Sequence, residues 1–480
     1  MIHLAPSSGL SPLERFALEV LVDQARLLQS LEPTPNVVTV LVMGEDGPAA
    51  TLRQLAARGW DLQVADGAVR IPRVLLAEVG STVSARAEQL TEDADRFQRV
   101  PTRVNAMYAS GSPREPLVSR CAEALRAAVV NAAGRRPLAF LQPWPNGRRW
   151  AAALSHDLDV VDWWGAFTAL RIAELARKSE WRQVARIVGA APGGLTANPV
   201  VAAARRLLAT ERDAGVRSTW FVLCGEPDVA SARRGDLTYR PRGRRTRGLL
   251  SAIRSGGHEI GLHGSFATML SSRLFAEQRT QLEFIAGTSI RGARQHYLRM
   301  RPGATQRAMK EAGFTYDATF GFPDCSGFRL GVADVVPWWD AADGAVAEFD
   351  VVPLVWMDRT LSKYQGIEDP RRWVEDALEL ASVCADVEGL WVGLWHPNLA
   401  TMLGYPGAEE AFSELVARLV ARQPHIAPLG ELVAWRRDRR SVRAATLDAR
   451  GRPIRAEAPA NGTGALLEDA EGRAVPWGDD

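Results

Sequence analysis

The amino-acid sequence predicts an α/β protein: a distorted parallel (β/α) barrel of about seven strands, preceded by an N-terminal α/β domain. Three observations predict it. Short apolar runs alternate with helical stretches through the middle of the chain, and polar residues cluster where the runs end. The length of 480 residues also exceeds one ordinary core. Parallel neighbours need crossover connections, and strands alternating with helices supply them.

The elements follow in chain order. Residues 1–145 open with an amphipathic helix over 12–31 and a strand candidate over 37–42, and a helix over 117–133 comes later. This region reads as an α/β domain without the residue types or spacing of a catalytic site. Gly134-Arg135-Arg136-Pro137 and Pro143-Trp144-Pro145-Asn146-Gly147 mark its boundary. The barrel is expected over 146–436. Its strand candidates are 150–155, 218–223, 258–262, 292–298, 315–320, 349–357 and 390–395. Helices are expected over 200–214, 271–285, 304–312, 370–382 and 408–422. Residues 437–480 are polar and dotted with Gly and Pro, a tail or a small β extension around Val442 to Leu447.

Composition narrows the class. With 46% apolar and 24% charged residues, the chain reads as globular, and it has no apolar run long enough to span a membrane. Met1-Ile2-His3-Leu4-Ala5-Pro6 lacks the basic and apolar regions of a signal peptide, so a cytoplasmic location is expected. Cys121, Cys224, Cys325 and Cys384 form no Cys-x-x-Cys pair and read as reduced. A net charge of +2 gives no general attraction to nucleic acid. The basic cluster Arg240, Arg242, Arg244, Arg245 and Arg247, broken by Pro241 and Gly243, suits a solvated loop, with a rim that attracts an acidic glycan or a phosphate as the alternative. No nucleic-acid partner is expected, and the oligomeric state stays open.

Chemistry concentrates at the strand ends, where β/α barrels carry it. Of seven histidines, His156, His258, His263, His296 and His396 lie at or beside predicted strands. Asp157 and Asp159 in Ser155-His156-Asp157-Leu158-Asp159 point to one side of an extended strand. Two neighbouring carboxylates call for a cation, with one as ligand and the other free to act as a base. Two loop aspartates capping a helix are the plainer alternative.

Ser155-His156-Asp157-Leu158-Asp159 resembles the first motif of the metal-dependent polysaccharide deacetylases. Gly257-His258-Glu259-Ile260-Gly261-Leu262-His263 resembles their second motif, and Arg294 in Gly292-Ala293-Arg294-Gln295-His296 their third. Leu394-Trp395-His396-Pro397-Asn398 resembles the last, and Phe314-Thr315-Tyr316-Asp317-Ala318-Thr319 the strand after the third. Residues 1–145 are similar, more weakly, to a domain preceding the barrel in some bacterial members.

The resemblance implies a hydrolase that removes an N-acetyl or similar acyl group from a sugar or glycan, with a divalent metal, zinc first. It implies Asp157 as general base, Asp159 and His263 as metal ligands and His396 as general acid. Arg294 would hold Asp157 in place. One departure is plain: the family's third ligand, four residues after the first histidine, is Ala267 here. His296, sharing a strand face with Arg294, is the expected substitute, with water, Ser265 or a more distant carboxylate as alternatives. His258 reads as structural, and Asp162 and Asp317 as helix or loop residues. Trp163, Trp164, Trp338, Trp339, Trp356 and Trp395 could stack on sugar rings or pack in the core. Two other functions stay open: hydrolysis of a non-sugar C–N bond, as in imidase-like relatives, and a glycan-binding module without catalysis.

Overall fold

The computed structural model describes residues 1–5, 9–31, 37–44, 49–136, 138–161, 166–177, 179–189, 198–225, 236, 239–447, 452–456 and 467–477. Its centre is a ten-stranded, curled and mostly parallel sheet, a distorted (β/α) barrel. In spatial order its main strands are Ala345–Val351, Tyr316–Asp317, Gly292–Gln295, Glu259–Gly264, Thr219–Leu223, Ala151–Leu158, Leu390–Leu394 and Trp356–Met357. These neighbours all pair in parallel. Helices Pro199–Asp213, Arg244–Ser255, Ser272–Ala286, Ala304–Glu311, Pro370–Asp386 and Ala408–Ala421 supply crossovers and outer packing.

All eight residues of Ala151–Leu158 are buried, as expected of a parallel strand covered on both faces. Its alternate side chains divide the molecule. Ala151 and Ala153 pack inside the barrel with Phe221, Val392, Leu394 and Tyr316. Ala152 and Leu154 pack outward in the larger core. Leu429–Ser441 plugs the N-terminal end with Leu429, Leu432 and Val433. The opposite end, where the strands finish, is left to polar side chains.

Several expected elements end elsewhere, for local reasons. The 349–357 candidate divides into the ends of two strands, because Pro353 between them has no N–H for a ladder. Val336–Asp340 pairs antiparallel with Ala345–Val351 as a hairpin, which the parallel reading did not include. The 292–298 candidate stops at Gln295, since its neighbour Tyr316–Asp317 offers only two residues to pair with. His296–Leu298 is instead a tight turn with Tyr297 and Leu298 at positive φ. The first helix ends at Gln24 rather than near 31, where Arg26 adopts a left-handed conformation and forms ion pairs with Glu388 and Glu468. Arg244, Arg245 and Arg247 lie on the first turns of the Arg244–Ser255 helix, begun by Gly243, so that basic cluster is not a loop throughout.

A second sheet places Ile2–Leu4, Val38–Val42 and Ala68–Ile71 side by side. Arg443–Leu447 joins it along Gln29–Ser30 and pairs with Pro453–Arg455, a β extension late in the chain. The cysteines are free thiols; Cys121, Cys224 and Cys384 are buried. No described helix is long and apolar enough to cross a membrane.

Candidate metal and acid–base site

Asp157 lies on the Ala151–Leu158 strand, with Asp159 just past its end on the same side. His263 comes from Glu259–Gly264, beside Arg294 in the ladder. Arg294 is fully buried, and its guanidinium lies 4.3 Å above the Phe221 ring. Gly261 makes that possible, because a Cβ there would stand 2.6 Å from the same ring. Arg294 Nη1 donates to Asp157 Oδ1 at 2.8 Å and to Ser155 Oγ at 3.0 Å, while Nε donates to the Ala318 carbonyl. Asp157 Oδ2 is thereby turned towards His263 Nε2, 3.5 Å away.

Asp159, His263 and His296 each offer one ligand atom within 4.8 Å of the others. His263 Nε2 is 3.2 Å and His296 Nε2 3.8 Å from Asp159 Oδ1. Second partners set both tautomers. His263 Nδ1 faces the Arg294 carbonyl at 2.9 Å, which can only accept, so Nδ1 carries the proton. His296 Nδ1 donates to Asp236 Oδ1 at 2.7 Å. Each Nε2 lone pair is left for a cation, and the carboxylate–imidazole pair is a common way to orient a metal ligand. One oxygen and two imidazole nitrogens suit zinc or a similar divalent ion. Burial raises the Asp159 pKa, but the neighbouring imidazoles outweigh it and hold the carboxyl well below its usual range.

His396 approaches from the other side, its Nε2 3.7 Å from Asp159 Oδ2. Asp358 grips it twice, accepting from Nδ1 at 2.6 Å and from the backbone N–H at 2.6 Å. Burial disfavours the imidazolium, yet Asp358 and Asp159 more than offset this and raise the His396 pKa.

Expectation and structure part in places. His296 joins the other two, but from the turn after the strand rather than from a shared strand face. Ala267 sits exposed in the Phe266–Thr268 turn, so its position points to solvent. Ser265 Oγ is taken by Gln278 Nε2 at 2.7 Å, and Asp317 accepts from Thr319 and Gln306. His258 accepts from the Ser218 backbone N–H, and His156 bonds Glu211 and the Trp395 carbonyl; both belong to a packed network behind the strands. Trp338, Trp339, Trp356 and Trp395 are buried and pack the core, so they form no exposed stacking groove. Asp162, Trp163 and Trp164 lie outside the described residues.

Sequence reasoning missed four contributors. Asp358 directly follows the Trp356–Met357 strand, so the strand-end rule could have found it. Asp236 carried no such signal. Phe97 and Arg99, from the segment before the barrel, brace the His296 turn. Arg99 Nη1 donates to the Tyr297 carbonyl at 2.9 Å, Phe97 stacks on Tyr297 at 5.0 Å, and Tyr297 stacks on His296 at 3.8 Å.

No family model matches the sequence, and no curated protein does. Solved structures similar to this chain include proteins assigned as polysaccharide deacetylases. One, from Mycobacterium smegmatis, is 22% identical, with 61% of this chain and 92% of that one covered and a TM-score of 0.41. Another, from Pseudomonas aeruginosa PAO1, is 16% identical, with 64% and 97% covered and a TM-score of 0.41. The Puue allantoinase is 15% identical, with 61% and 92% covered and a TM-score of 0.42.

Proposed function

We propose that the chain is a metal-dependent hydrolase that removes an acetyl or similar acyl group from the nitrogen of a sugar or sugar-like substrate. One observation carries this reading. A carboxylate outside the proposed ligand set, Asp157, and a carboxylate-backed imidazole, His396, flank an Asp/His/His cluster.

Asp159, His263 and His296 would hold the ion, zinc being the best match to the donors. When bound, such an ion supplies Lewis acidity, polarising the acyl carbonyl and acidifying the attacking water. The chain's own residues do the rest. Arg294 fixes Asp157 so that Oδ2 takes the proton of the attacking water as general base. His396, protonated at Nε2 and anchored at Nδ1 by Asp358, gives its proton to the leaving nitrogen. The products are a free amine and a carboxylate such as acetate.

Acetate release from a panel of N-acetylated sugars, nucleotide-sugars and oligosaccharides, with and without chelator, tests the reading. Release that stops with chelator and returns with zinc is expected. A metal-replete protein that binds these glycans but releases no acetate would make it a binding module. Turnover of cyclic ureides alone would move it to non-sugar C–N hydrolysis.

A further inference from the structure

An arc of contacts runs from His296 around to His396 and is rich in cationic side chains. His296 stacks on Tyr297, and Arg99 bridges the Tyr297 carbonyl at 2.9 Å to the Tyr364 hydroxyl at 3.3 Å. Arg96 and Arg99 each lie 4.8 Å from the centre of the Phe97 ring that backs Tyr297. Beside Tyr364 stands Lys363, its Nζ 5.9 Å from the tyrosine ring. Arg359 closes the arc. It donates to Tyr405 Oη at 2.9 Å and to Asn398 Oδ1 at 3.3 Å, and Asn398 lies two residues past His396.

The backbone here is unusual. Thr360–Tyr364 is a single π-helical turn, a rare form that recurs frequently at functional sites, and it presents Lys363 and Tyr364 together. The charges are only partly answered. Asp95 pairs with Arg99 at 2.7 Å, and Glu174 acts on Lys363 from outside the arc. Arg359 spends its hydrogen bonds on neutral oxygens, while the Asp358 and Asp159 carboxylates act on its charge through space. Lys363 is exposed overall, yet crowding of its ammonium and repulsion from Arg359 hold its pKa down, to about 8. Cations that repel each other gain from an anion placed between them.

We propose that this arc is a subsite for an anionic substituent, a carboxylate or phosphate carried by the acylated amine substrate, with Arg359 and Lys363 as its direct contacts. Arg359 offers a planar fork suited to either group, and Lys363 adds a point charge. The proposal rests on the hydrolase reading for the rest of the substrate, but the anion contacts can be tested alone.

Calorimetric titration of the metal-loaded protein with N-acetylglucosamine, N-acetylglucosamine 6-phosphate, N-acetylmuramic acid and inorganic phosphate separates the possibilities. The charged sugars should bind at least tenfold more tightly than the neutral one, with the difference shrinking as salt rises. Lys363→Met and Arg359→Gln should each erase most of that difference and weaken inorganic phosphate in parallel. Phosphate held by the metal alone would survive both substitutions. Equal affinity for charged and neutral sugars, or phosphate binding indifferent to both variants, overturns the subsite. Phosphate binding that both variants weaken, with no sugar bound, keeps the subsite and sinks the amino-sugar reading instead.

Discussion

Replacing Arg99 by methionine should loosen His296, the proposed metal ligand almost two hundred positions away in the chain. The turn that carries His296 holds Tyr297 at φ 61° and Leu298 at φ 52°. A left-handed non-glycine residue costs about 1–2 kcal/mol, so the pair stores about 2–4 kcal/mol. Against this stands the Arg99 bond to the Tyr297 carbonyl. A hydrogen bond from a charged donor contributes about 1.5–3 kcal/mol. The Phe97–Tyr297 stack adds about 0.5–1.5 kcal/mol. With the guanidinium present, support and strain roughly balance; removing it takes away about 1.5–3 kcal/mol of support and leaves strain ahead, so His296 should hold its ligating position only part of the time. At 1.4 kcal/mol per factor of ten, zinc affinity should fall about 10- to 100-fold. Competition against a chromophoric chelator measures this, with thermal unfolding of the metal-free protein run beside it. A wild-type zinc affinity in Arg99→Met, while His296→Ala loses the metal, would refute the reasoning.

Four further outcomes are expected. Asp157→Asn should lower kcat by about a thousandfold or more while metal content stays near one per chain, since the base lies outside the ligand set; retained turnover would remove Asp157 from that role. Asp358→Asn should shift the basic limb of the kcat/KM pH profile. Burial lowers the His396 pKa and Asp358 raises it, so without that carboxylate the proton is lost, and activity falls, at a lower pH; an unmoved limb would mean His396 is not the acid. Ala267→His should leave zinc affinity within about twofold of wild type, because that position faces solvent and cannot rebuild the family's usual ligand spacing. Burial lowers the His258 pKa below the ordinary 6.5, so its stabilising contribution is present above that value and lost as pH falls through the lowered one. Urea unfolding between pH 5 and 7 should show that slope, and His258→Gln should flatten it.

The strand-end motifs were legible because side-chain alternation is a local property. Asp157 and Asp159 share a side whatever the rest of the barrel does. Arg294 and His263 could be placed on strands from periodicity, although their pairing needed the sheet. His296 shows the limit of such reasoning. Its residue type suits a ligand, but the strand ended one residue before it because the adjacent strand ran out of partners.

What the chain alone determined was the order of strands and helices and the polar residues at the strand ends. Tertiary structure decided which side chains aim them. His296 meets Asp236 across 60 positions, His396 meets Asp358 across 38, and Arg99 reaches Tyr297 across 198. None of these pairs shares a local period, so no window of sequence encodes them. They meet only when the strands curl into a barrel and the Asp95–Arg99 segment packs against its open end.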